Sequence, residues 1–138
     1  MVSESTRPRF RTLRAFRGVA LLGLLLLPAC RGEVDTGDPG LSLDVAISPT
    51  PPAVGPARLI ITLTDSAGLP MEGAQVTVEG NMSHAGMVPV LDTAVAEDPG
   101  RYGISDFGFT MAGDWILTVQ AVLPDGRAAR IDRPLSLI

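Results

Sequence analysis

Met82, His84 and Met87 fall within six residues of one another, and Met111 and Trp115 follow further along the chain. Thioether sulfur is a soft ligand that selects Cu(I), and imidazole suits copper, zinc and iron. Residues two apart in an extended segment leave the same face, so Met82 and His84 can point together. Gly86 permits a sharp turn that could swing Met87 back toward them. An indole beside such a set could lie against the cation through its ring face. Beyond residue 30 the chain has four methionines and one histidine, and only Met71 falls outside this group. The chemistry to expect is therefore Cu(I) binding by Met82, His84, Met87 and Met111, with Trp115 adjacent. Two plainer readings stand beside it. Methionines fill irregular gaps in cores, Trp115 opens an alternating run (Trp115, Leu117, Val119, Ala121) and so belongs to a strand's inner face, and His84 could cap a turn or face solvent. The same loop could also be a protein-contact surface.

Other chemistries are not supported. With a single histidine, a nucleophile and base pair would need His84 and a suitably placed serine, but Ser83 is adjacent and points the other way in an extended chain. No serine sits in a nucleophile-elbow motif. Glu97-Asp98 precedes Pro99-Gly100 and reads as a turn, and Asp125-Gly126 reads as a hairpin. There is no phosphate-binding glycine loop and no zinc cluster in the sequence, so an enzyme is not expected.

The N-terminus places the chain. Five arginines against one acid in residues 1–17 are followed by the apolar run Gly18–Leu27 and then Pro28-Ala29-Cys30. A basic stretch, a short apolar stretch and a small residue at the cut make a secretory signal, and the run is short for about 30 Å of hydrocarbon. Leu27-Pro28-Ala29-Cys30 resembles the bacterial lipobox, which implies removal of residues 1–29 and attachment of diacylglycerol to Cys30. A lone cysteine cannot form an intramolecular disulfide, and two acyl chains hold where one would be marginal. The expected location is the outer side of the cytoplasmic membrane, or the outer membrane facing the periplasm. Arg31 is not the aspartate of a retention signal and favours the latter.

These residues must be positioned by what lies between Cys30 and Ile138. The precursor carries eleven arginines, no lysine and fifteen acids, net −4. Five of the arginines but only one acid precede Cys30, so the remainder has six arginines against fourteen acids and a charge near −8. With no basic patch, nucleic acid is not an expected partner. Residues 30–40 are polar and rich in glycine and acid, which reads as a flexible tether. From Leu41 onward, short alternating runs separated by Pro, Gly and Asp give seven strands, around 41–48, 58–64, 74–78, 88–96, 102–109, 115–122 and 128–137. No stretch has helical periodicity. The expected fold of 41–138 is all-β, a two-layer sandwich of about seven strands. Its four aromatics (Tyr102, Phe107, Phe109, Trp115) lie within fourteen residues, which marks the heaviest packing.

Four stretches resemble the YtkA-like domain, which also occurs in FixH-like proteins. They are Asp65-Ser-Ala-Gly68-Leu-Pro70-Met-Glu-Gly73-Ala74-Gln-Val76, the loop Asn81–Pro89 with its methionines and histidine, Gly100-Arg-Tyr102, and Met111-Ala-Gly113-Asp-Trp115-Ile-Leu-Thr-Val119. They occur in the family's order over about residues 57–122. The resemblance implies an immunoglobulin-like sandwich outside the cytoplasm. FixH-like relatives are associated with assembly of haem–copper oxidase and with cation handling, which implies an envelope copper-handling or oxidase-assembly protein as partner. The Met and His set beside an indole is similar to that of CusF-type copper chaperones. The alternative is an accessory or scaffold domain that binds another envelope protein and no metal.

Overall fold

In the computed structural model, which describes residues 34–84 and 86–138, every one of the expected alternating runs is a strand. In chain order the elements are β1 (Val34–Gly37), β2 (Leu41–Ser48), β3 (Gly55–Asp65), β4 (Gln75–Met82), β5 (Val90–Asp98), β6 (Arg101–Phe109), β7 (Gly113–Val122) and β8 (Ala128–Leu137). All pairings are antiparallel, and the strands form one sheet in the order β1-β8-β7-β4-β5-β6-β3-β2. The sheet curls nearly into a barrel, because β5 serves both halves. Its first residues, Val90–Ala94, pair with β4, and its last, Val95–Asp98, pair with β6. The curl brings β2 toward β8, where the Arg133 guanidinium donates to the Val45 carbonyl.

Period two decides which residues face inward. Leu41, Leu43 and Val45 on β2, Leu59, Ile61 and Leu63 on β3, and Trp115, Leu117, Val119 and Ala121 on β7 are all buried, and the residues between them, mostly polar but including Ile60 and Ile116, are not. Burying each such aliphatic side chain is worth about 1.5–3 kcal/mol. β6 needs an extra device. Tyr102 and Ile104 face the core, and so do Phe107 and Phe109, although a strict alternation would send the second pair outward. The pairing with β3 slips between Ala57 and Leu59, so Ser105 and Asp106 bulge opposite Arg58 and the phase is reset. Phe107 and Phe109 then meet edge to face at 5.2 Å, and Phe109 meets Trp115 at 5.3 Å and 85°.

Eight strands replace the seven expected. The additional one, β1, lies in the stretch read as tether, and it pairs with β8 from Val34 opposite Asp132 to Gly37 opposite Ala129. Glycine there serves close approach rather than flexibility. Gly37 has φ +150°, and a Cβ on it would stand 2.7 Å from the Ala128 carbonyl oxygen and 2.8 Å from Ala129 Cα. Asp38 then turns the chain into β2. Its N–H donates to the Ala128 carbonyl (2.9 Å) and its carboxylate accepts from the Gly40 N–H (2.8 Å). The signal sequence and Cys30 lie outside the described residues. No helix among the described residues is long and apolar enough to cross a membrane.

Candidate functional site

Antiparallel order sends the ends of β4, β6 and β8 and the starts of β5 and β7 to one end of the barrel, and the methionine group gathers there. Met82 closes β4 directly opposite Trp115 on β7. Its side chain is half-buried against the core, and its Cε lies 3.1 Å from where a Cβ on Gly113 would be. Trp115 is 2% exposed, with its ring in the aromatic cluster and its indole N–H donating to the Met111 carbonyl at 3.0 Å. The Met111 side chain is left half exposed. His84 and Met87 sit in the loop between β4 and β5, both exposed.

The structure therefore brings Met82, Met111 and Trp115 into one neighbourhood and leaves His84 and Met87 on the loop that leads out of it. Among the described residues no group of three or more His, Cys, Asp or Glu is placed to hold a metal ion. The donors at this end are thioethers and one imidazole, a set suited to Cu(I) rather than to hard cations or to a thiolate zinc site. Trp115 occupies the position expected of a strand's inner face. Its ring packs inward and its N–H is already used by the backbone.

A shallow groove runs beside Trp115, lined by Ser83, Asp114, Ile116, Pro134, Leu135 and Ser136. Asp114 holds its rim together, accepting from the Ser83 N–H on its carbonyl (3.0 Å) and from the Ser136 hydroxyl on its carboxylate (2.6 Å). No local spacing announces this groove, because it exists only through the register of three strands, Met82 opposite Trp115 and Asp114 opposite Ser136.

The opposite end explains the remaining motifs. The Asp65 carboxylate accepts from the N–H groups of Ala67 and Leu69, both at 2.9 Å, which shapes the turn through Gly68. Tyr102 is buried and its hydroxyl ties down the following segment, donating to the Met71 carbonyl (2.9 Å) and accepting from the Ala74 N–H (3.1 Å). Met71, the methionine apart from the others in sequence, is thus apart from them in space. At the next hairpin, the Arg127 N–H and guanidinium donate to Asp125 (3.0 and 2.8 Å), which lowers the carboxyl pKa below its ordinary value and raises that of the guanidinium.

Comparison with known proteins gives one match at the level of family. No individual curated protein and no solved structure matches the chain. The family model described as YtkA-like matches residues 41–120, from the first residue of β2 to within two residues of the end of β7. That span covers more than half of the sequence and contains both the turn set by Asp65 and Tyr102 and the Met82–Trp115 pairing, and the chain belongs to the YtkA-like family.

Proposed function

We propose that this protein is a lipid-anchored, extracytoplasmic binding module that handles Cu(I) through Met82, His84, Met87 and Met111, and that it binds rather than catalyses. The observation that carries the metal reading is Met82 directly opposite Trp115 and the Met111 carbonyl bonded to the Trp115 indole N–H, with His84 and Met87 exposed on the adjoining loop. Cys30 in its lipobox-like setting supports the anchor. A lipidated thiol is not available as a ligand, so the soft donors are the methionines and His84. Strands β2, β3 and β6 on one side of the β5 crossing, and β4, β7 and β8 on the other, support an immunoglobulin-like sandwich as the underlying arrangement.

Cu(I) titration of the full-length chain in detergent, in competition with a chelator, tests the metal reading. A variant combining His84→Ala and Met87→Ala with the near-isosteric Met82→Leu should lose copper while keeping its circular dichroism spectrum. If wild type and variant hold copper equally poorly, copper handling is wrong. The exposed flank of β5 favours a second reading, an accessory domain that binds an envelope protein. Leu91 and Val95 are 71% and 70% exposed where β5 passes from one half of the sheet to the other. Cross-linking from that flank in cells, with copper binding absent, would select it.

A further inference from the structure

The two ends of the barrel differ in charge. The loops at the methionine end, residues 49–54, 83–89 and 110–112, contain no Asp, Glu, Lys or Arg; beside them, at the start of β7, stands one acid, Asp114, whose carboxylate accepts from the Ser136 hydroxyl. The turns at the other end carry Asp38, Asp65, Glu72, Glu97, Asp98 and Asp125 against Arg101 and Arg127. This end also exposes apolar side chains from three separate loops: Val54 (46% exposed), Met87 and Val88 (36% and 83%) and Met111 (48%). Apolar tips from three loops, with no charge among them, form a cap with nothing among the described residues to cover it.

The path of the chain says what lies opposite that cap. β1 enters level with Asp132, midway along β8, and runs toward the charged end, so its first residue, Val34, is the one nearest the methionine end. Cys30 lies four residue steps before Val34, a reach of at most about 14 Å. The five residues from Asp132 to the end of β8 at Leu137 cover roughly 17 Å. The chain length therefore lets a lipid on Cys30 reach nearly to the level of the cap. We infer that the methionine end of the barrel, through Val54, Met87, Val88 and Met111, rests on the lipid surface while the acidic end points into the aqueous compartment.

This orientation rests on the anchor proposed above. The short tether makes contact of the cap with the bilayer intramolecular, so a weak affinity suffices. Apolar side chains on loops that carry no acid can settle into the headgroup boundary. The acids at the far end stand roughly 30 Å away along the ten residues of β8, several Debye lengths of about 8 Å, where an anionic leaflet does not repel them. The methionines then sit at the membrane face, and a ligand exchanged there comes from a membrane protein or along the surface rather than from bulk water.

The test uses the full-length lipidated chain reconstituted into phosphatidylethanolamine and phosphatidylglycerol vesicles containing a nitroxide-labelled lipid. With Cys30 acylated, an introduced cysteine is the one free thiol, so an environment-sensitive fluorophore can be placed on Val88→Cys, Val54→Cys or Asp125→Cys. Labels at 88 and 54 should be blue-shifted and quenched several-fold more by the lipid-borne nitroxide than the label at 125, which should be reached by aqueous iodide. Equal quenching at all three positions, or stronger quenching at 125, overturns the orientation. A label at 88 shielded from iodide but untouched by the lipid quencher also overturns it, in favour of a protein partner on the cap. The mass of the mature N-terminus is read on the same preparation. An unmodified Cys30 removes the anchor and the orientation together, whereas a diacylglycerol adduct with uniform quenching removes the orientation alone.

Discussion

Gly100 lies against Pro70 so closely that a Cβ on it would stand 2.6 Å from the proline Cβ and 2.8 Å from the Leu63 carbonyl oxygen. This contact joins two stretches within the family match, the Asp65–Pro70 turn and Gly100-Arg-Tyr102, at the charged end of the barrel. The Leu63 N–H donates to the Gly100 carbonyl at 2.8 Å, and φ at Gly100 is +69°, so both space and backbone conformation call for glycine. Gly100→Ala should lose about 2–4 kcal/mol, the sum of overpacking and left-handed strain. Urea unfolding of wild type and variant checks it, and a loss below the scatter of surface substitutions would mean that the turn moves aside freely.

Tyr102 acts on the same turn by a different force. Its buried hydroxyl satisfies one backbone acceptor, the Met71 carbonyl, and one backbone donor, the Ala74 N–H. Tyr102→Phe keeps the ring and leaves both backbone groups without their partner, which should cost about 1–3 kcal/mol. Because the two bonds hold residues 71–74, limited proteolysis should cut the variant there before it cuts elsewhere. Global destabilisation without local cleavage would place the effect in the core instead.

Gly37 should govern whether the chain near the anchor is ordered. A methyl group at this position would press on Ala128 and Ala129, and the short β1 has one neighbour, β8, to hold it. Gly37→Ala should release β1 and leave the other seven strands paired. Hydrogen exchange should quicken at Thr36 and along the β8 edge between Ala129 and Asp132, while the denaturation midpoint of the domain moves little. If exchange in β8 is unchanged, β1 is not held by this approach.

The sequence is legible where one physical signal acts alone. Seven strands follow from period two, since inward residues such as Leu59, Ile61 and Leu63 alternate without interruption. β1 escapes because Val34–Gly37 carries no alternation and rests on a glycine's close approach to another strand. The bulge opposite Arg58 escapes as well, although its trace is present: the inward set of β6 changes phase between Ile104 and Phe107. At the methionine end, the spacing of Met82, His84 and Met87 fixes which face each can take in an extended segment, but not how far each side chain is buried. That depends on register, which sets Met82 against Trp115 and leaves His84 outside.

Trp115 separates the structural role from the metal role at that end. Its ring packs against Phe109 and its N–H supports the Met111 carbonyl, so Trp115→Phe should destabilise the domain by about 1–3 kcal/mol through a small cavity and an unpaired loop carbonyl. The thioethers of Met82, Met87 and Met111 and the His84 ring are retained in this variant, and the indole face is directed into the core. Cu(I) stoichiometry should therefore stay as in wild type, with affinity falling only as far as the Met111 loop loosens. Thermal unfolding and copper competition on the same sample check the two effects together. Loss of copper with stability intact would show instead that the indole caps the ion, and would require the ring to turn outward when metal binds.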